Sequence, residues 1–496
     1  MNFKVKSATT SQNVVLEEPL LFERSRAGAK AVGVPKLDVP LVDPSAYFGD
    51  QFRTQDPGLP ELSEPEVIRH FTRLSTWNYA IDLGIYPLGS CTMKYNPRLN
   101  EEIARSAEVG NLHPLDPVEW SQGHLQIMYE LQEDLKEVTG LPAVSLQPAA
   151  GAHGELAGLM MVAAYHRAKG NAKKVILTAD TAHGTNPASA ALAGFEIIQM
   201  ETGKDGVLHP EAVAKMLNGN VAALMLTNPN TLGVFERYLP EISRMLHEVD
   251  ALLYIDGANM NAVMGIAKPG SYDTDVIQFN LHKTFSTPHG GGGPGSGPIA
   301  VSKRLEPFLP SPLVEKQGNT FVLQTQNSKS IGRIKSFYGN FGMFIRAWTY
   351  IKALGGPGLY EVSKNAILNA NYIRARLKEH FHLPVEAPTL HEVVFNDKWQ
   401  RENNGLDTSK MAKKLIDYGM HPPTVHFPLC VKNAIMIEPT ETESLDELDR
   451  FVNALLEVIT ESDVNLPAPV CTPRQKVDEV KAARELSLNY FNLRKG

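Results

Sequence analysis

Lys283 and Asp256 are the residues of this chain whose type and position most strongly suggest chemistry. Lys283 follows the apolar run 276–279, and Asp256 directly follows the apolar run 251–255 further upstream. A glycine-rich stretch, 290–297, comes shortly after the lysine. A lysine amine can form a Schiff base with the aldehyde of pyridoxal 5'-phosphate (PLP), and an acid on a neighbouring strand can keep the pyridine nitrogen protonated. Either residue alone is more often a surface charge or a turn former, but the pair in this order predicts a PLP enzyme.

Three further segments at predicted strand ends suit the same cofactor. Gly151 and Ala152 open a helix, where backbone N–H groups and the helix dipole favour a phosphate. The flat ring of His183 can stack on a pyridine, and a hydroxyl or amide of the segment 227–231, for which we choose Thr231, can reach the ring O3′. Each has a structural alternative: close helix–sheet packing, a hydrogen-bonded structural histidine, or a turn at Asn228-Pro229. The predicted catalytic residues are Lys283, Asp256 and His183, and no metal site is predicted.

Composition excludes several classes of function. The chain has 496 residues, 43% hydrophobic and 21% charged, with a net charge of −7, which is ordinary for a globular protein and gives no basic footprint for nucleic acid. Cys91, Cys430 and Cys471 form no CxxC pair, so a reducing cytoplasm is the expected compartment. The N-terminus lacks the apolar core of a signal peptide, and no run approaches the ~18 apolar residues of a membrane span.

Strand and helix patterns alternate from about residue 120 to residue 255, which predicts a mostly parallel sheet covered on both faces. In such sheets the ligand lies beyond the carboxyl ends of the strands. A helix over 341–354 is predicted to end at Gly355, and mixed strands and helices follow. We predict three parts: an N-terminal arm with an active-site loop segment (1–120), a large PLP-binding α/β domain (121–340) and a small C-terminal α+β domain (341–496).

Three polar or irregular segments lie outside this α/β pattern. The first 60 residues are rich in proline and charge, and they predict an extended arm. The loop 86–97 is apolar and punctuated by glycine and proline, so it is either a buried connection or a loop that lines the active site. The acids Glu438, Glu441 and Glu443 show no metal-ligating pattern with nearby histidines, and we interpret them as a turn and a helix start.

Long, irregular motifs in the chain resemble the glycine dehydrogenase (decarboxylating) family, the P-protein of the glycine cleavage system. The resemblance runs from about residue 25 to about residue 485, and the tail 487–492 departs from the expected family ending. The family's single-chain form is about twice as long, so the chain resembles its lysine-bearing half, subunit 2 of the split form. The segments that carry the resemblance are 86–97, 182–189, 256–261, 280–285, 294–298 and 437–443.

The resemblance implies a fold-type-I PLP enzyme, similar to aspartate aminotransferase, that decarboxylates glycine, releases CO2 and transfers the aminomethyl group to the lipoyl arm of H-protein. It implies that Asn280 and His282 help to hold the phosphate or orient Lys283, and that Ala258 packs near the cofactor ring. It also implies a lysine-free subunit 1 as partner in a two-plus-two heterotetramer. The alternatives are another fold-type-I enzyme, such as an amino acid decarboxylase or a cysteine desulfurase using Cys91, and a non-catalytic scaffold subunit.

Overall fold

The computed structural model describes residues 18–489 except 34, 292, 294, 326, 461–465 and 473. The start of the predicted arm, two positions of the glycine-rich stretch and the end of the tail therefore lie outside the described residues. The chain forms two compact units: residues 81–464, and the described residues of 1–80 and 465–496. The predicted boundaries near residues 120 and 340 both fall inside the larger unit, and the three-part division stays a prediction.

The larger unit is built on a seven-stranded sheet. Its strands are β1 (Ala143–Ser145), β2 (Val175–Ala179), β3 (Glu196–Met200), β4 (Val221–Thr227), β5 (Leu252–Asp256), β6 (Val276–Gln278) and β7 (Ile299–Val301). Their order is β1-β7-β6-β5-β4-β2-β3. All neighbours pair in parallel except β7, which is antiparallel to both β1 and β6. The prediction of a mostly parallel sheet is confirmed, whereas the antiparallel strand β7 was not predicted.

Alternating side chains of the central strands explain why both faces of the sheet are covered. In β5, Leu253 and Ile255 pack in one apolar cluster, and Leu252 and Tyr254 pack in another, as the two-residue period of a strand requires. The helices Gln122–Thr139 and Leu239–Glu248 contribute to the first cluster, and Gly151–Ala168 and Thr185–Leu192 to the second. The remaining helices before residue 300 are Arg98–Ala104, Ala107–Gly110, Pro210–Met216 and Leu281–Thr284, with 3-10 turns Met260–Ala262 and Pro269–Tyr272.

A long helix leads from the large sheet to a smaller one. Helix Phe341–Leu377 breaks at Gly355, whose φ of 60° and ψ of 179° are not helical, so the predicted end at residue 354 coincides with a kink. The helix then resumes, with Pro357 in its first turn, where a proline is tolerated. The sequence did not predict this second half, because the run Gly-Gly-Pro-Gly is typical of a full stop.

The rest of the larger unit is a hairpin and a small antiparallel sheet. The hairpin pairs β8 (Leu313–Gln317) with β9 (Thr320–Gln324) and follows the 3-10 turn Glu306–Phe308. The small sheet has the order β10-β12-β11, in which every pair is antiparallel. Its elements are β10 (Val393–Asn396), β11 (Thr424–Val425), β12 (Ala434–Ile437) and the helices Lys398–Asn404, Thr408–Asp417 and Leu445–Thr460.

The smaller unit has short helices and a buried ion cluster. A capping box, in which Glu66 accepts from the N–H of Ser63, starts its main helix. Arg73, His70 and Arg24 all contact Glu18, and the hydrogen bond from Arg73 is the main cause that lowers the pKa of Glu18 to about 2. Its helices are Leu21–Arg24, Ser45–Phe48, Glu64–Ser75 and Glu479–Arg484, with the 3-10 turn Gly49–Gln51. Across the described residues of the whole chain, no helix is both long and apolar enough to cross a membrane.

Candidate active site

A cavity of about 130 Å³ opens where β4, β5 and β6 end. This is the edge of a parallel sheet at which ligands bind. Of the nine predicted cofactor-binding residues, all but His282 line it; they are Lys283, Asp256, His183, Gly151, Ala152, Ala258, Asn280 and Thr231. Ser90, Glu155, Thr185 and Thr227 complete the lining. A larger groove of about 640 Å³ elsewhere contains none of these residues.

Lys283 lies on the short helix Leu281–Thr284 directly after β6. Its Nζ donates a hydrogen bond to the carbonyl oxygen of Ser90, at 2.8 Å. Ser90 belongs to the loop 86–97, in which Thr92 and Lys94 are also buried. The loop is therefore largely buried, and its residue Ser90 lines the cavity.

Asp256 ends β5 and is almost fully buried. Its carboxylate accepts three hydrogen bonds, from Asn186 Nδ2 at 2.9 Å, from the Ala258 N–H at 2.9 Å and from Gln278 Nε2 at 2.5 Å. Three N–H donors suit an ionised carboxylate, which accepts but cannot donate. The sequence did not single out Asn186 or Gln278, although each lies in a segment that follows or ends a strand.

The first turn of the helix Gly151–Ala168 offers an anion site at the cavity. No side chain of the described residues caps this helix, so the N–H groups of Gly151 and Ala152 stay available beside the positive end of its dipole. A Cβ on Gly151 would lie 2.6 Å from Asn280 Nδ2, and one on Gly154 would lie 2.7 Å from the carbonyl oxygen of Gly297. The small residues therefore serve close packing and the anion site together.

His282 lies behind Asn280 and does not line the cavity. Its Nδ1 accepts from the N–H of Ser296 at 3.3 Å, and its Nε2 is 3.0 Å from the Asn280 amide. Burial, with smaller contributions from His289 and Lys283, lowers the pKa of His282 to about 3, so the ring is neutral. The atom of Asn280 placed against Nε2 is Nδ2, but because Nδ1 accepts and the single ring proton is on Nε2, we assign the Asn280 amide the opposite orientation, with its oxygen facing Nε2. The amide NH2 of Asn280 is then left for an anion in the cavity.

His183 and two threonines form the remaining wall of the cavity. Burial and the nearby Lys283 lower the pKa of His183, which keeps its ring neutral. The hydroxyl of Thr231 donates to the carbonyl oxygen of Thr181 at 2.6 Å, so only its lone pairs face a ligand. The buried hydroxyl of Thr227 has no hydrogen-bond partner among the described residues and is the better candidate for donating to a ligand.

Comparisons with known proteins agree with this geometry. Two family models match: "Aminotransferase class-V" over residues 153–310 and "Glycine dehydrogenase, C-terminal domain" over residues 362–468. A relative from Alkaliphilus oremlandii (strain OhILAs) is 50% identical over 477 residues, or 95% of this chain and 98% of its own. One from Chlorobium chlorochromatii (strain CaD3) is 49% identical over 478 residues, or 95% and 99%. Both are named "Probable glycine dehydrogenase (decarboxylating) subunit 2".

This chain belongs to the glycine dehydrogenase (decarboxylating) subunit 2 family. The predicted resemblance is thereby confirmed. A solved structure of "glycine decarboxylase (P-protein) of the glycine cleavage system, in inhibitor-bound form" superposes with a TM-score of 0.70 over 84% of this chain and 94% of that one, at 22% identity. The fold is that of fold-type-I PLP enzymes, as the sequence predicted.

The cavity of this glycine dehydrogenase subunit 2 family member fits PLP. The cofactor needs an amine for its aldehyde, an acid for its ring nitrogen and donors for its phosphate. Lys283, Asp256 and the uncapped helix end at Gly151 supply these groups around one cavity. The unpartnered Thr227 hydroxyl adds a donor that the protein alone leaves unused.

Two acids that follow β12, Glu438 and Glu441, have a larger role than the sequence suggested. Glu438 is fully buried and accepts from the N–H of Thr92 at 3.0 Å and from its hydroxyl at 2.6 Å. Glu441 forms an ion pair of 2.7 Å with the buried Lys94. The interpretation of these acids as only a turn and a helix start was therefore incomplete, because two of them bind the loop that carries Ser90.

A further carboxylate, beside the small antiparallel sheet, also binds this loop. Glu392, which precedes β10, accepts from the N–H of Ser90 at 2.9 Å. His391 Nε2 lies 3.7 Å from Glu392, and one ligand atom from each of His391, Glu392 and Glu438 falls within 4.8 Å of the others. Both carboxylates are already engaged by the loop, so the cluster holds the loop and does not present a free set of metal ligands.

Proposed function

We propose that this chain decarboxylates glycine with PLP, as the lysine-bearing subunit of glycine dehydrogenase in the glycine cleavage system. In this proposal the aminomethyl group passes to the lipoyl arm of H-protein. The observation that carries the proposal is a single cavity that joins Lys283, Asp256 and His183 in a chain about half identical to its named relatives. Cytoplasmic localisation is part of the proposal.

Each residue has a distinct task in the proposed reaction. Lys283 would hold the cofactor through its side-chain amine. When bound, PLP supplies an electron sink for the pair left on Cα as CO2 departs. Asp256, kept as a carboxylate by its three N–H donors, holds a proton on the ring nitrogen. Gly151, Ala152 and Asn280 bind the phosphate, and His183 covers the ring.

The proposed transfer balances without an external oxidant. The bond between Cα and the carboxylate breaks, and its electron pair forms a bond from Cα to one sulfur of the oxidised lipoyl disulfide. The S–S bond breaks, and the second sulfur leaves as a thiolate that takes up a proton. Glycine loses CO2, and the lipoyl group is reduced as it receives the aminomethyl group.

A cysteine desulfurase is the enzyme alternative that the same fold allows, and Cys91 is the residue it would use. Burial raises the pKa of the Cys91 thiol, and this outweighs the opposite effect of Lys283. A nucleophilic cysteine needs a lowered pKa, because the thiolate is the reactive form. The site therefore favours decarboxylation, and the presence of Lys283 favours an enzyme over a scaffold subunit.

Exposed apolar side chains of the N-terminal arm support the binding of a partner protein, which we propose is subunit 1. Leu41 is 86% exposed and Tyr47 73% exposed, and exposed apolar side chains of this density mark a protein–protein surface. Other exposed apolar residues of the arm are Val32, Leu37, Val39, Val42, Phe48 and Leu59. We place subunit 1 on this arm, in a heterotetramer of two such pairs.

Glycine–bicarbonate carbon exchange with lipoylated H-protein tests the reaction. The chain alone should exchange little or no label, and addition of subunit 1 should restore exchange, while light scattering reports the mass of the complex. Leu41→Asp should weaken association, whereas Leu192→Asp, at a position that is 77% exposed outside the arm, should not. A homodimer with full exchange activity and no affinity for subunit 1 would overturn the assembly proposal. Absence of exchange from the assembled complex would overturn the reaction.

A further inference from the structure

Glu155 is a buried acid of the cavity to which the proposed mechanism gives no task. It is 4% exposed, on the helix Gly151–Ala168, and lines the cavity with Asp256. Thr185 Oγ1 lies 2.8 Å from its Oε1, and Ser189 Oγ lies 3.1 Å from its Oε2. Burial, helped by the charge of Asp256, raises the pKa of Glu155 to about 7.

The hydroxyl of Thr185 has two close partners but only one proton. Its Oγ1 is 2.8 Å from Glu155 Oε1 and also 2.8 Å from Nδ1 of His183. The backbone N–H of Thr185 points at the same Nδ1, at 3.2 Å, so a proton on Nδ1 would face another donor. When Glu155 carries a proton, it donates to Thr185 Oγ1 and the hydroxyl proton lies between Oγ1 and Nδ1, whereas an ionised Glu155 takes the hydroxyl proton for itself.

We propose that Glu155 is a positioning residue that carries a proton and, through Thr185, fixes His183 as a neutral imidazole with its own proton on Nε2. The chain of hydrogen bonds runs from the Glu155 carboxyl to the Thr185 hydroxyl and from that hydroxyl to Nδ1. This inference rests on the proposed function only in taking PLP as the ligand of the cavity.

The charges around Glu155 support the same protonation state. Asp256 has three N–H donors and is ionised, so a second negative charge in the same cavity would repel it. Asn186 and Ser189 are neutral donors, and the hydroxyl of Tyr254 turns to the backbone carbonyl oxygens of Gly154 and Glu155. The positive charge of Lys283 disfavours a protonated, positively charged His183. The carboxylate of Asp256 is then the group that pairs with the cofactor's ring nitrogen.

The relay gives a specific dependence on pH. Above the pKa of Glu155, the Thr185 hydroxyl donates its hydrogen bond to the ionised carboxylate. Nδ1 of His183 then loses its hydroxyl donor. A proton moved to Nδ1 of His183 can then donate to Thr185 Oγ1, and this short hydrogen bond outweighs the weaker contact of the Thr185 backbone N–H at 3.2 Å. The tautomer of His183 should therefore switch with a midpoint near pH 7.

Nitrogen-15 NMR of the histidine rings tests this switch directly. Protein labelled at histidine is compared with and without PLP between pH 6 and pH 8, and His183→Gln identifies the resonance. At pH 6 wild-type His183 should show the Nε2–H tautomer and should lose it as the pH rises. In Glu155→Gln the side-chain amide donates to Thr185 and does not titrate. His183 of this variant should therefore keep the Nε2–H form to pH 8. Thr185→Val should remove the pH step, and Glu137→Gln, at a residue with 81% of its side chain exposed, should retain it.

The outcomes separate this inference from the proposed function. An Nδ1–H tautomer in the wild type at pH 6, or the same pH course in wild type and Glu155→Gln, overturns the relay. The wild-type spectra decide the first point even where a variant does not fold. Failure of the full chain to bind PLP overturns the proposed function and leaves the tautomer measurement in the cofactor-free protein intact.

Discussion

Asp256 and Glu438 are two buried carboxylates at the ends of strands, and they serve different parts of the site. Asp256 ends β5 of the large sheet, lines the cavity and is held by Asn186, Gln278 and a backbone N–H. Glu438 follows β12 of the small sheet, does not line the cavity, and takes its hydrogen bonds from Thr92. One carboxylate is directed at the ligand and the other at a loop.

The difference shows what each half of the larger unit contributes. The large sheet supplies charge at the cofactor, whereas the small sheet holds the shape of the loop 86–97. Ser90 and Thr92 have positive φ angles of 63° and 50°, which non-glycine residues rarely adopt without support from their surroundings. Glu392 and Glu438 supply that support through the N–H groups of these two residues. Lys283 lies between the two regions, since its amine contacts Ser90.

The largest effect is expected at Lys283, whose amine contacts the loop 86–97. Lys283→Ala removes the amine that binds the cofactor covalently, so glycine exchange should fall to background and the visible absorption of the bound cofactor should be lost. Borohydride reduction and peptide mapping of the wild type should find the label on Lys283. Label on another lysine would show that the cavity is not the cofactor site.

Asp256→Asn should give the next largest loss. The amide cannot stabilise a protonated ring nitrogen, so exchange should fall by one to several powers of ten, each tenfold step being about 1.4 kcal/mol of transition-state stabilisation. PLP should remain bound, because the phosphate and Lys283 contacts are unchanged. Absorption titration measures binding and exchange measures turnover. Near wild-type turnover with bound PLP would place the ring nitrogen away from Asp256.

The sequence predicts the first of these regions far better than the second. Apolar runs that come shortly before Asp256 and Lys283 indicate neighbouring parallel strands, and parallel strands bring their carboxyl ends to one edge. The contacts of Glu438 with Thr92 and of Glu392 with Ser90 join residues more than 300 positions apart. Such pairs depend on how the small sheet packs on the loop, which no local pattern encodes. The segment 227–231 was predicted but Thr231 was chosen over Thr227, because the pattern does not show which hydroxyl is free. Glu155 was missed because an acid in a helix is common everywhere.

Thr92→Val tests the small-sheet region with a smaller expected effect. It deletes the 2.6 Å hydrogen bond from the Thr92 hydroxyl to Glu438 and leaves the side-chain volume nearly unchanged. At a pH above 7, where Glu438 is ionised, loss of this hydrogen bond to a charged group should lower the free energy of unfolding by about 1.5–3 kcal/mol. Urea unfolding measures this change, and glycine exchange should fall only a few-fold. Thr72→Val, on an exposed helix position, is the control. A loss of turnover as large as that of Asp256→Asn would remove the distinction between the two carboxylates.

Glu438→Gln should give the smallest effect, visible as a change in pH dependence. Burial raises the pKa of Glu438 from 4.5 to about 7, so between these values the folded protein binds a proton that the unfolded chain has released. The contribution of Glu438 to the free energy of unfolding should therefore fall as the pH rises from 4.5 to 7, and level off above it. Glutamine does not titrate, so the variant should gain about 1–3 kcal/mol relative to the wild type across this window. Parallel urea titrations at several pH values give the difference between the two slopes. Equal slopes would mean that Glu438 stays ionised throughout, and that the carboxylates of the small sheet and the large sheet differ less than their surroundings indicate.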